Sequence, residues 1–385
     1  MQKWYPSWIT GAPINSQHLP ASPFFGDAAP PGLLERFRKL PKIDLHRHRE
    51  GSIRLSTLLE LADEIPGLPF SKQELPRLVT LQPEEERTPD VFLSKFGALR
   101  YFYVSKDIIQ RTTVEVIKDA AADGVVYLEL RIAPAALTAA GAGTYTQVLD
   151  WVQQAVNQAE LEAGIKVQLV ALMNRHESLA EAARFVDIII ERKGDGVCGI
   201  DLAGDEVRFP GTEFIPLFDK ARQNGLGVCV HSGEWGPAEN VQTAILDFQA
   251  DRIGHGIHVL ESETVTGLAR SKQNPFEVCL TSNVLSGVFP TLQSHPAKAM
   301  LNTGLRVTLN TDDPAIQQTT LTDELALAVR CCGFSQKDVA LCMQNAAGAA
   351  FLPGNEKEVL VREIQKGWKD ILLLDSYSGF LKPEG

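Results

Sequence analysis

Two histidines, His46 and His48, stand two residues apart in the stretch PKIDLHRHREGS, residues 41–52. Three further stretches carry groups that can ligate a metal or move a proton. VHSGE holds His231 and Glu234, GHGIH holds His255, and NTDDP holds Asp312 and Asp313. Taken singly, each has an ordinary explanation. A His-x-His pair is usually not a metal site, a lone His231 fits a hydrogen-bonded core residue, and Asp-Asp-Pro often marks a turn. Taken together, three imidazoles and one carboxylate form a ligand set suited to Zn²⁺, with an open position for water. A metal held this way lowers the pKa of bound water to about 7, so hydroxide is available at neutral pH. Whether the groups meet depends on the elements that carry them.

Each of these stretches closes one of eight short, β-branched runs. The runs are KIDLH (42–46), VVYLELRI (125–132), KVQLVAL (166–172), VCGIDLA (197–203), GVCVH (227–231), RIGH (252–255), FEVCLT (276–281) and RVTLNT (306–311). Amphipathic helical patterns separate them; in TQVLDWVQQAVNQAELEAG, for example, Val148, Leu149, Val152, Val156 and Ala159 make one apolar stripe. Eight strands alternating with helices predict the α/β class and a parallel (β/α)8 TIM barrel. A doubly wound sheet is the structural alternative, but its Gly-rich phosphate loop is missing. The long gap between strands one and two predicts a helical lid insertion of about three segments, and the region after residue 321 predicts extra helices closing the barrel from outside. Residues 1–40 read as an irregular arm packed on the barrel by Trp4, Trp8, Phe24 and Phe25, and residues 41–385 as a single domain.

Such a barrel gathers its chemistry at the C-terminal strand ends. Four of the eight histidines and an acidic pair fall there. Alternate residues of a strand face one way, so His46 and His48 can aim at one point. Strand four ends in DLAGDE and offers no lysine to bridge two metals, which favours one metal per chain. The H-x-E…P-C-x-x-C pattern of the His/Cys/Cys zinc deaminases is absent. His258 has no strand-end placement that demands a role, His18 reads as a surface residue, and His176 and His295 read as loop or helix-cap residues.

The rest of the composition narrows the function class. Hydrophobic residues make up 44% of the chain, enough for a sizeable core. A net charge of −11 argues against a nucleic-acid or anionic-membrane partner. No apolar run is long enough to span a bilayer, and the first residues lack the basic-then-apolar pattern of a signal peptide. The six cysteines show no CxxC spacing, so a reduced, cytoplasmic compartment is the expectation. No oligomeric state is specified.

The motifs LHRHREGS, GVVYLELRIAP, GIDLAGDE, VHSGEWG, RIGHGIH, TSN and HPAKAMLNTGLRVTLNTDDP occur in this order from about residue 41 to about 365. Jointly they resemble the adenosine deaminase family of metal-dependent amidohydrolases. The resemblance implies that His46, His48, His231 and Asp312 bind Zn²⁺ or another divalent metal. Glu234 would protonate the purine ring nitrogen beside the amino-bearing carbon. His255 would orient the attacking water and act as base or electrostatic stabiliser. Asp313 would hydrogen-bond N7, and the backbone N–H of Gly204 would donate to N3. VFLSKF (91–96) is similar to the family's apolar lid segment, so Phe92, Leu93 and Phe96 would cover the purine. The implied reaction is hydrolytic deamination of a 6-aminopurine nucleoside, adenosine or 2′-deoxyadenosine, with loss of ammonia. It needs a carboxylic acid because attack on an aromatic carbon destroys delocalisation unless the neighbouring nitrogen is protonated.

Several positions depart from the family's pattern. Glu50 stands where adenosine-specific members carry an Asp that contacts the ribose 5′-hydroxyl. That keeps open deamination of adenine, or of a 5′-modified adenosine such as aminodeoxyfutalosine or a nucleotide; a catalytically silent nucleoside-binding homologue is the reading from another class. Arg47 and Arg49 replace residues that are usually apolar. Arg47 needs a buried partner, and Arg49 is expected to pair with Glu50 or a lid carboxylate. Gln317 replaces a common aromatic and implies a polar ribose end.

Overall fold

The computed structural model of the chain describes Phe24 and residues 32–373. Trp4, Trp8, His18 and Phe25 of the expected arm lie outside the described residues. Within the arm, Leu33–Lys39 is helical where an irregular stretch was expected. Leu33 and Phe37, four apart and so on one face, are its buried residues, and Phe24 packs against the core.

Eight strands form one sheet in sequence order: β1 (Lys42–His48), β2 (Val125–Ile132), β3 (Lys166–Asn174), β4 (Val197–Ala203), β5 (Gly227–Ser232), β6 (Arg252–His255), β7 (Pro275–Val278) and β8 (Arg306–Leu309). Every neighbouring pair is parallel. Helices lie between them, as the alternating pattern predicts for a (β/α)8 barrel. β7 is shorter than expected: it ends at Val278, and Leu280–Leu285 is a helix. This helix puts polar Thr281, Ser282 and Asn283 into the interior, where Glu324 accepts from the Thr281 backbone N–H at 3.1 Å.

β8 also stops early, and the barrel seam is made by the residues after it. The Asp312 N–H donates to the His46 carbonyl at 2.8 Å, and the His48 N–H donates to the Asp312 carbonyl at 2.8 Å. Asp44 accepts from the Thr311 hydroxyl at 2.7 Å and from Arg47 Nε at 3.0 Å. That is the buried partner Arg47 required. Closing the barrel therefore also positions two of the candidate metal ligands.

The gap between β1 and β2 holds the helices Leu55–Glu64, Leu75–Val79 and Pro89–Leu99, followed by Lys106–Ala122, which leads into β2. Pro89–Leu99 starts at a Thr88 cap whose side chain accepts from the Val91 N–H, with Pro89 at the first helical turn. Leu321–Cys331, Gln336–Ala349, Gly354–Gly367 and Lys369–Leu373 follow β8 as the extra C-terminal helices. Among the described residues, no helix is long and apolar enough to cross a membrane.

Candidate active site

His46, His48, His231 and Asp312 come together where β1, β5 and the end of β8 meet, with their ligand atoms all within 4.8 Å of one another. His46 Nε2 and His48 Nε2 lie 3.3 Å and 3.1 Å from Asp312 Oδ1, and 3.3 Å from each other. Donors about 2.1 Å from a central tetrahedral ion sit roughly 3.4 Å apart, so these spacings suit a divalent metal. The far nitrogens of two rings are already engaged. His46 Nδ1 donates to Glu277 Oε2 at 2.9 Å and His231 Nδ1 donates to Asp201 Oδ1 at 3.1 Å. That leaves the Nε2 lone pairs for the metal, with the carboxylates raising ligand basicity. Burial pushes the His48 imidazole down to about 4, which also favours the neutral, metal-binding form.

Glu277 and Asp201 are themselves bridged by Arg131, and Glu277 also binds Arg252, which pairs with Glu129. All five charged side chains are buried inside the barrel. None was singled out from the sequence. The available signal was a charge within an otherwise apolar strand: Glu129 and Arg131 in VVYLELRI, Asp201 in VCGIDLA, Arg252 in RIGH and Glu277 in FEV.

A cavity of about 440 Å³ opens beside the ligands. Its lining includes Glu50, Gly204, Glu234, His255 and Asp313, with Phe92, Leu93 and Phe96 contributed by the lid. The structure thus brings every candidate site residue to one place. Glu234 is buried, and its Oε2 lies 3.6 Å from His255 Nε2. Burial, then the Asp312 charge, push its carboxyl well above the usual range. Asp313 is raised for the same two reasons, and its Oδ1 has no hydrogen-bond partner among the described residues. Against burial, hydrogen bonds from His46 and His48 keep Asp312 well below its ordinary value.

The backbone is shaped for this arrangement. His255 and Asp312 are two of five non-glycine residues with positive φ among the described residues, at 57° and 67°. Such conformations cost about 1–3 kcal/mol, so the surrounding contacts must impose them. The loop bearing Glu234 is held by a residue the sequence did not mark. Buried Glu206 accepts from the backbone N–H groups of Gly233, Glu234, Trp235 and Gly236 at 2.7–2.9 Å, and from Asn240 at 2.8 Å.

Arg49 forms the expected ion pair with Glu50, at 4.0 Å, and its Nε and Nη2 also donate to Thr113, Thr112 and the Ile109 carbonyl. It is buried on the helix Lys106–Ala122 because that face offers two hydroxyls and a carbonyl. Gln317 does not line the cavity; fully buried, it points its amide at Asp312 Oδ2, 3.5 Å away. His295 caps the short helix Leu292–Ser294, as the sequence predicts, and is buried, bonded to Asn283 at 3.1 Å.

The sequence model of the adenosine deaminase family matches residues 41–367. An adenosine deaminase of Clostridium botulinum is 35% identical over 327 residues, covering 84% of this chain and 97% of its own. Three solved structures share the architecture. An adenine deaminase from Arthrobacter aurescens is 28% identical with a TM-score of 0.78, covering 86% of this chain and 99% of its own. An Arabidopsis protein, ADAL, in complex with IMP is 29% identical with a TM-score of 0.79, covering 87% and 99%. An amidohydrolase from Burkholderia ambifaria with bound Zn is 25% identical with a TM-score of 0.81, covering 93% and 99%. This chain belongs to the adenosine deaminase family of amidohydrolases and is a hydrolase acting on carbon–nitrogen bonds.

Proposed function

We propose that the chain deaminates a 6-aminopurine nucleoside, adenosine or 2′-deoxyadenosine, to the 6-oxo product and ammonia, with Zn²⁺ as its metal. The observation that carries this reading is the buried Glu234 carboxyl, its pKa raised by burial and the Asp312 charge, beside His255 and the three-His, one-Asp cluster. His46, His48, His231 and Asp312 would hold the metal, which would supply a water acidic enough to ionise at neutral pH.

The side chains do the remaining work. Glu234 gives its proton to ring N1, which makes C6 electrophilic. His255 orients the attacking oxygen through Nε2. Asp313, with an unpartnered Oδ1 and a raised carboxyl, donates to N7, and the Gly204 N–H donates to N3. At φ 96°, Gly204 presents that N–H from a conformation few other residues adopt. Phe92, Leu93 and Phe96 exclude water above the base. The chain's partners are the small purine and water.

Asp313 packs against Gly51, where a Cβ would fall 1.7 Å from Asp313 Oδ1. Gly51→Ala is expected to displace the carboxyl and raise KM about tenfold, the equivalent of one lost hydrogen bond. Steady-state kinetics check this, and an unchanged KM would remove Asp313 from base recognition.

A 5′-substituted substrate such as a nucleotide is the second reading, because Arg100 and His176 also line the cavity. Ammonia release from adenine, adenosine, 2′-deoxyadenosine and AMP, with metal analysis, separates the readings. The highest kcat/KM is expected for the two nucleosides; a preference for AMP would change the substrate but keep the chemistry. Chelation should reduce turnover to background, and added Zn²⁺ should restore it. Metal-loaded protein releasing no ammonia from any of the four would leave a silent nucleoside-binding homologue.

A further inference from the structure

Behind His255, two buried polar side chains lie off the cavity and have no part in the reaction described above. They are Asn283, on the helix Leu280–Leu285, and His295, just before the helix Ala297–Asn302. Their hydrogen bonds form a chain whose direction is set by its first donor. The backbone N–H of Ala297 can only donate, and it reaches His295 Nδ1 at 3.2 Å. His295 Nδ1 is therefore an acceptor. Burial pushes this imidazole down to about 3, so the neutral ring carries its proton on Nε2. His295 Nε2 then donates to Asn283 Oδ1 at 3.1 Å, which fixes the orientation of the amide. Asn283 Nδ2 is left to donate to His255 Nδ1 at 3.1 Å. With Nδ1 accepting, a neutral His255 holds its proton on Nε2, the nitrogen facing Glu234 Oε2.

The relay is rigid. The Asn283 carbonyl accepts from the N–H groups of Val288 and Phe289 at 3.1 Å, and its own N–H donates to the Cys279 carbonyl at 3.0 Å. The Phe289 ring lies 5.3 Å from that of His295.

We propose that Asn283 and His295 are positioning residues that hold His255 as the Nε2–H tautomer, making it a hydrogen-bond donor to the reacting centre and not a neutral-ring base. The catalytic half of this proposal rests on the deaminase reading; the tautomer does not. Asn283→Asp tests it, because a near-isosteric carboxylate can only accept and would demand the proton on His255 Nδ1. In zinc-loaded, ¹⁵N-histidine-labelled protein, with the His255 signals identified by their loss in His255→Gln, Nε2 should carry the proton. In Asn283→Asp the proton should move to Nδ1, kcat should fall about 100-fold, and KM should stay within about threefold with metal content unchanged. His295→Gln, which keeps a donor for Asn283, should retain kcat within about threefold, whereas His295→Leu should lose it as Asn283→Asp does.

Protonation of Nδ1 in the unaltered protein would overturn the proposal. So would an unchanged kcat in both Asn283→Asp and His295→Leu, or losses that track metal content alone. If the unaltered protein deaminates no 6-aminopurine, the functional reading fails, and the nitrogen shifts still decide the tautomer.

Discussion

Glu234→Gln is expected to keep its metal and its melting temperature while deamination falls by about 10²–10⁴-fold, the range for loss of a positioned general acid. The amide matches the carboxyl in shape and can donate a hydrogen bond, but it cannot transfer a proton to N1. Folding should not suffer. The site is buried and already faces the Asp312 charge, so it resists a second anion, and a neutral amide suits it. The pH profile adds an independent check. A raised carboxyl is protonated below its folded pKa and loses that proton as the pH rises through it. The alkaline limb that Glu234 gives the native profile should therefore vanish from the residual rate of the variant. Turnover near the native level in metal-loaded Glu234→Gln would remove Glu234 as the acid.

Glu277→Ala should act on stability and metal together. This carboxylate has no exposed surface, accepts from His46 Nδ1, and binds both Arg131 and Arg252. Burial alone would raise its pKa, but Arg131 and Arg252 outweigh burial and hold the group far below the carboxylate range. Truncation leaves two buried guanidiniums short of a counter-charge, a loss of about 3–5 kcal/mol for a broken buried pair. It also frees the His46 ring to rotate, and metal affinity should fall about 10–100-fold. Denaturant unfolding of the metal-free protein and a metal titration read the two effects separately. An unchanged midpoint and an unchanged affinity would show that the barrel interior does not depend on this anion.

The fold was legible because its signals are local. β-branched runs of strand length alternating with amphipathic stretches such as Tyr145–Ala163 are set by period and caps, and they survive into the structure almost residue for residue. FEVCLT misled because apolar residues continue past Val278, and a short apolar run does not distinguish strand from helix.

The site divides along the same line. The sequence by itself determined which chemical groups stand at the strand ends and, through the order of the motifs, the family and its reaction class. Only the tertiary structure decided what each group touches. Glu277 finds His46 across 231 positions and Glu206 clamps a loop beginning 27 residues later, while Gln317 turns to Asp312 and does not line the cavity. Spacing conveys direction along one element. A buried charge or amide takes its partner from whatever barrel closure brings within about 3 Å, and no local pattern encodes that distance. HRHREGS shows both sides. Its histidines were marked as ligands by type and position, whereas Arg47 and Arg49 acquired their meaning only when Asp44 and the hydroxyls of Thr112 and Thr113 were folded against them.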